Sequence, residues 1–360
     1  MVPQLNEIID YYSKECIQGY HTVLLISLGR RLGIFEYLSK LKEVDANNKE
    51  SKIITFSPEA IAQELKLDPL FLDGWIHIAL EFGIFSINKG KKGFLQTAPY
   101  IYELFLDNNS PFYLGNLYGW IYKTAVMQEI IFERFKTGQA IERLDGAIFE
   151  ESSRDGQKLS TINNNTRLRL FSKNLKIHHQ NLRDGGRILE IGCGIGTNLQ
   201  IWANKYKNAK FIAIDPNPRA ITILKEIIGS NNWEDRIEAL NYSLKEFVGT
   251  DIDKRFDVII LNEVVHEIIG DDATRKKFIN DTYGLLKDDG VLLIGEEIIP
   301  KTFDVEKGKT FWKSIKKWDE IIFGARFYNQ EEFKKLILST KFKHAIIFQE
   351  KTDCIWAISK

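Results

Sequence analysis

Apolar residues are spaced differently in the two halves of this chain. Up to about residue 182 they recur mostly at helical intervals. From Arg187 onward they come as short runs at 187–191, 211–214, 256–261, 290–295, 345–348 and 354–358, separated by amphipathic segments. Runs that short, alternating with helical pattern, predict a parallel, doubly wound sheet with helices on both faces. Ligands of such sheets sit at the carboxyl ends of the strands, where the strand order reverses. A site is therefore expected in the loops that follow the runs.

The first 110 residues read as helices followed by a hairpin. Ser57-Pro58 and Asp68-Pro69 each pair a capping side chain with a proline in the first turn. The second of these opens a helix through Leu72, Trp75, Ile76, Ala79 and Leu80, which Gly83 is expected to stop. Ile84–Ile87 and Phe94–Thr97 then predict two short strands around the basic turn 88–92. Helix, helix, hairpin is the order of a winged helix, which serves either DNA binding or packing and dimerisation. The second helix carries little Arg or Lys for phosphate contacts, which argues against DNA. An apolar-rich stretch over 5–30, with Tyr11, Tyr12, Ile17, Leu24, Leu25 and Leu28, suits a core or a subunit contact. Residues 112–182 read as aromatic-rich helices with a polar break at Ser152–Gln157 and Asn163–Asn165. The expected division is 1–110, a helical linker over 111–182, and a Rossmann-like α/β domain over 183–360.

Charge and cysteine content narrow the classes. Lys+Arg and Asp+Glu both number 49, so no bulk field favours a nucleic acid or an anionic membrane. Cys16, Cys193 and Cys354 are too few and too far apart for a disulfide framework or a zinc site, which suits a reducing cytoplasm. Neither a signal peptide nor an apolar run near the roughly 18 residues of a membrane span is evident. No metal is expected: His178 and His179 are adjacent, and neighbours on a helix point in different directions.

The run Arg187-Ile-Leu-Glu-Ile-Gly-Cys-Gly-Ile-Gly-Thr197 is a short strand carrying an acid, Glu190, followed by glycines at 192, 194 and 196. Phe211-Ile-Ala-Ile-Asp215 is a second apolar strand ending in an acid. This is a nucleoside pocket, but the third glycine comes one residue too early for the dinucleotide fingerprint. A carboxylate is unhelpful beside pyrophosphate, yet it suits a zwitterionic amino-acid tail next to a sulfonium. Asp215 suits a ribose diol, because a carboxylate accepts from both hydroxyls.

Glu190-x-Gly192-x-Gly194-x-Gly196 with Asp215 resembles the class I S-adenosylmethionine-dependent methyltransferases. The resemblance implies that the glycine loop approaches the methionine end of the cofactor and that Asp215 binds the ribose. It also puts Asn241 and Tyr242, after a third strand, near the adenine, and Asn262 at the pocket's edge. The loop Asn262-Glu-Val-Val-His266-Glu267 follows a buried strand, where a histidine is well placed as a general base for a hydroxyl acceptor.

With Leu285–Gly290 and Glu296-Glu-Ile-Ile-Pro300, this loop is similar to the plant caffeate and hydroxyindole type O-methyltransferases. That likeness implies His266 as base, Glu267 supporting the loop and Glu296 steering the ring. Phe171-Ser-Lys-Asn-Leu175 resembles a segment closing over acceptor and cofactor, so Phe171 and Leu175 join the expected substrate pocket, with Trp312 on an aromatic helix before the sixth strand. The winged-helix end implies a homodimer. There are departures. Glu263 stands where an aromatic or apolar residue is usual, and would meet a cationic acceptor or cap a loop. A further family Glu is replaced by Phe327-Tyr328. The reading is a cytoplasmic, homodimeric S-adenosylmethionine-dependent O-methyltransferase acting on a small-molecule acceptor, with no nucleic-acid or membrane partner. The alternatives are N- or C-methylation on the same fold, or a cofactor-sensing DNA-binding regulator.

Overall fold

The computed structural model of the chain describes residues 5–41, 52–139, 147–252, 255–350 and 353–360. It forms two compact units, Met1–Met127 with Gly146–Gly156, and Gln128–Asp145 with Gln157–Lys360. The expected linker over 111–182 thus contributes to both units, and the division falls inside the helix Ala147–Leu159.

In the first unit, β1 (Thr55–Phe56), β2 (Phe85–Ile87) and β3 (Leu95–Thr97) make an antiparallel sheet in the order β1-β3-β2. The helices Pro58–Glu64 and Pro69–Glu81 lie between β1 and β2 in sequence, which is the winged-helix order. Both begin as the capping residues predict. Ser57 accepts from the Ala60 N–H, and Asp68 accepts from Leu70 and Phe71. Such caps are worth about 1 kcal/mol each. Gly83, at φ +70°, follows the second helix where only glycine turns without strain. The core gathers Ile26, Ile34, Leu38, Ile61 and Phe85 around Trp75, whose indole N–H donates to the Leu25 carbonyl at 3.1 Å.

The second unit is built on β4 (Arg187–Ile191), β5 (Lys210–Ile214), β6 (Ile237–Leu240), β7 (Phe256–Asn262), β8 (Leu286–Gly295), β9 (His344–Glu350) and β10 (Asp353–Ser359). Their order is β6-β5-β4-β7-β8-β10-β9. The first five run parallel, as expected, but β10 is antiparallel to both β8 and β9. The all-parallel expectation is corrected at this edge. Only residues 351 and 352 separate β9 from β10, and a parallel crossover needs about a dozen or more.

Side-chain alternation along the strands feeds two cores. Ile188, Val258 and Ile260 face Phe171, Trp202 and Tyr206 on one side. Leu189, Ile191, Ile259 and Leu261 face Phe247, Phe333 and Trp356 on the other. Strand order reverses at β4, which pairs with β5 on one side and β7 on the other. The crevice is therefore placed at the carboxyl ends of β4 and β7.

One expectation for the helices before β4 is revised. Ser152–Gln157 and Asn163–Asn165 do not break the chain; they lie within the helices Ala147–Leu159 and Thr161–Asn174. Their polar side chains find partners without leaving helical geometry: Ser152 donates to the Trp120 carbonyl and Asn165 to the Thr161 carbonyl. The second helix stops at Asn174, so His178 and His179 sit on a separate helix, Lys176–Arg183. Among the described residues no helix is long and apolar enough to cross a membrane.

Candidate active site

The loop after β4 is held between strands. The N–H groups of Gly192 and Cys193 both donate to the Ile214 carbonyl at the end of β5. Two of its glycines have packing reasons as well as positive φ. A Cβ on Gly192 (φ +70°) would lie 2.6 Å from Val264, and one on Gly196 (φ +81°) would lie 2.4 Å from Leu224. The loop then opens directly into the helix Thr197–Lys205.

Two acids flank this loop. Glu190 is buried on β4; its Oε1 accepts from Asn198 at 2.9 Å and its Oε2 has no protein partner. Burial first, then the Asp215 charge, push its carboxyl up to about 8, against the Asn198 bond. Asp215 lies across the loop. Its Oδ2 accepts from Gly194 N–H and its Oδ1 from Asn217 N–H, both at 2.8 Å. Each oxygen keeps a lone pair for a further donor. Asn241, at the end of β6, donates to the Asp215 carbonyl at 2.9 Å, and Tyr242 packs beside it against the core. Glu190, the three glycines, Asp215, Asn241 and Tyr242 are thus brought to one rim of the sheet.

The loop after β7 is organised by Glu296, the first residue after β8. Its Oε1 accepts from the Val264, Val265 and His266 N–H groups at 3.1, 2.6 and 3.4 Å. Its Oε2 meets His266 Nδ1 at 2.6 Å. On the other side of the ring, Glu320 Oε2 lies 3.0 Å from Nε2, a charge contact rather than an aligned hydrogen bond. Phe327 stacks on the imidazole with centroids 4.9 Å apart. Burial alone would lower the His266 pKa, but the Glu296 and Glu320 carboxylates outweigh it and raise it well above the ordinary histidine value. The ring lies between the carboxyl groups of Glu296 and Glu320, with Glu263 Oε2 3.8 Å from Nδ1.

Beside it is a buried cluster of charges. Arg167 donates to Asp353 at 2.9 Å, to Asn262 at 2.8 Å, and to Glu263. Lys316 also donates to Glu263 and lies 3.5 Å from Glu297. Burial would raise the Glu263 carboxyl; Arg167 and Lys316 instead hold it well below the usual carboxylate range. Glu263 takes a left-handed φ of +58°, strained for a side chain of its size. Glu263, His266 and Glu296 converge closely enough to surround a cation. Arg167 and Lys316 already supply positive charge there.

Several expected site residues stand elsewhere. Glu263 is neither open to a cationic acceptor nor a loop cap, because two buried cations already hold it. Glu267 is exposed: the short turn Val265–Glu267 directs it away from the ring, and the carboxylates at His266 are Glu296, Glu320 and, at 3.8 Å, Glu263. The Asn262 amide is taken by Arg167 and Asn164, not turned to the nucleoside rim. Phe171 is wholly buried against Trp202, and Leu175 packs on the same core, so both serve packing. Trp312 is 55% exposed and edge-on to Phe311. A cavity of roughly 10 Å³, lined by Arg167, Asn198, Trp202, Asn262 and Gly295, has room for about one water.

Three residues were not legible as site residues. Arg167 carries no motif. Lys316 and Glu320 sit four apart on the helix Phe311–Ile321, and that shared face was the one available signal. Glu320 comes within 3.0 Å of His266 Nε2, while Phe327 and Tyr328 stand where the further family Glu is expected.

Residues 189–292 match the family described as "Methyltransferase domain". Over 123 residues the chain is 29% identical to erythromycin 3''-O-methyltransferase of Saccharopolyspora erythraea, covering 33% of this chain and 37% of that protein. Over 128 residues it is 25% identical to (S)-coclaurine N-methyltransferase of Papaver somniferum, covering 36% and 34%. The chain thus spans about a third of the length of these curated relatives. The structure of human N-acetylserotonin methyltransferase, solved in complex with SAM, superposes with a TM-score of 0.71 at 14% identity, covering 99% of this chain and 98% of that one. That likeness shows the fold, a Rossmann-like α/β sheet with an N-terminal helical domain.

Proposed function

We propose that this chain is an S-adenosylmethionine-dependent methyltransferase that methylates a hydroxyl of a small, partly aromatic or apolar molecule, with His266 as general base. One observation carries the reading. At the strand-order reversal, beside a glycine loop flanked by Glu190 and Asp215, a histidine is fixed by Glu296 at Nδ1. The residues fit the cofactor. Asp215 has free lone pairs for a ribose diol, Glu190 has an unpartnered oxygen, and Asn241 and Tyr242 border the same rim. When bound, S-adenosylmethionine supplies a methyl group activated by its sulfonium.

The chain's own residues do the rest. With Nδ1 bonded to Glu296, a neutral ring keeps its lone pair on Nε2, the atom that takes a hydroxyl proton. Glu320 occupies that side at rest, and an acceptor hydroxyl takes its place. His266 is only 3% exposed, so displacement of the helix Phe311–Ile321, which carries Lys316 and Glu320, admits the acceptor. Once the ring has accepted the proton, Glu296 balances the charge. Transfer to nitrogen would make less use of such a base. The homodimer reading is supported by apolar side chains exposed along the N-terminal helices, including Leu5 and Tyr12 at 70% and 66%. The balanced charge gives no support to a nucleic-acid partner.

Calorimetric titration with S-adenosylhomocysteine and with NAD tests the cofactor assignment. Binding of the former alone is expected; binding of NAD alone would overturn it.

A further inference from the structure

We infer that Gln157 is a cofactor-positioning residue, its side-chain amide reading the anionic end of the amino-acid tail. The inference rests on the methyltransferase reading above and adds a residue to it. Gln157 lies near the end of the helix Ala147–Leu159, far in sequence from every motif of the site. Its Oε1 accepts from the Ile195 N–H at 2.8 Å. Its amide also lies flat against Gly194. A Cβ built there would sit 2.3 Å from Oε1, 2.9 Å from Cδ and 3.2 Å from Nε2. Gly194, at φ +52°, is thus glycine because this amide covers it.

Consecutive loop N–H groups therefore have different acceptors. Gly194 donates to the carboxylate of Asp215, and Ile195 donates to the neutral amide of Gln157. The bond to Ile195 settles which way the amide faces, because an amide nitrogen there would oppose N–H to N–H. The NH2 group is left as a donor at the loop, with no partner among the described residues, on a half-buried residue. The acids of this rim, Glu190 and Asp215, suit the cationic and diol parts of the cofactor, and neither offers an N–H donor to a carboxylate. An NH2 donor fixed at the glycine loop supplies what they lack. A carboxylate accepting it makes a charge-assisted hydrogen bond.

The test separates the tail from the nucleoside. Affinities of wild type, Gln157→Ala and Gln157→Glu are measured calorimetrically for S-adenosylhomocysteine and for 5′-methylthioadenosine, which lacks the amino-acid end. Glu keeps an oxygen for Ile195 but turns the NH2 donor into a repelling oxygen. Both variants are expected to bind S-adenosylhomocysteine about ten- to a hundredfold more weakly, with methylthioadenosine affinity within about threefold of wild type. Unchanged S-adenosylhomocysteine affinity overturns the inference, and so does equal loss for both ligands, which would mean that Gln157 only shapes the loop. Wild type binding neither ligand would instead sink the cofactor reading itself.

Discussion

Arg167→Leu tests whether the charged frame behind His266 is held as the structure shows. Arg167 is 2% exposed and donates to Asp353, Asn262 and Glu263. Leucine fills part of the volume but leaves Glu263 with Lys316 alone. It also leaves Asp353, whose Oδ2 is already unpartnered, with only the Cys354 N–H. Removing one partner of a buried ion cluster costs about 3–5 kcal/mol. At about 2–4 °C per kcal/mol for a unit of this size, Tm falls by roughly 6–20 °C. The loss also depends on pH, with a definite sign. Glu263 has its folded pKa depressed, so its contribution is full above the unfolded carboxylate value and is lost as pH falls toward the folded one. The gap between wild type and variant is therefore widest near neutrality and narrows on acidification below the ordinary carboxylate range. Urea unfolding followed by circular dichroism at several pH values measures it. Adding Glu263→Gln should recover part of the loss, since one uncompensated charge goes with it. A cost below about 1 kcal/mol at pH 7, or one that grows on acidification, would refute the reasoning.

Other consequences concern binding and turnover. In the pH profile of kcat/KM the rate should rise with pH through a value above ordinary histidine, because the base works only as the neutral ring and His266 has its pKa raised. A limb below that value would contradict the raised pKa. Glu296→Gln removes the largest raising influence on the ring and one acceptor of the loop, so the limb should move to lower pH while maximal turnover falls by about a hundredfold. A limb that stays in place would assign it to another group. Asp215→Asn should weaken S-adenosylhomocysteine binding by about ten- to a hundredfold, measured by calorimetry, since the loop N–H and the ribose both lose a charged acceptor. Affinity within about threefold of wild type would remove Asp215 from the site.

The parts of this protein that were readable in advance are those fixed by local chemistry. Ser57 and Asp68 cap helices whose prolines announce them, and the apolar runs of β4, β5 and β7 are strands buried on both faces. Glu190, the glycines and Asp215 share one rim because each closes or follows a strand of the same sheet. What escaped depends on contacts distant in sequence. Arg167 reaches Asp353 across 186 positions, and no pattern around either residue signals the other. Glu320 comes within 3.0 Å of His266 Nε2 from a helix, whereas an acid was expected nearer Gln330. Phe171 was read as pocket but lies in the core, since an aromatic at helical spacing looks alike in either place.

The account stands most directly on transfer of a labelled methyl group. Wild type and His266→Gln are each incubated with methyl-labelled S-adenosylmethionine and a panel of small hydroxylated aromatic molecules, with cofactor affinity measured on the same preparations. The account predicts label on a hydroxyl oxygen with wild type, and at least about a hundredfold less with the variant at undiminished cofactor affinity. Equal labelling by both proteins would contradict His266 as the base, and no labelling despite bound cofactor across acceptors that reach the site would contradict hydroxyl methylation.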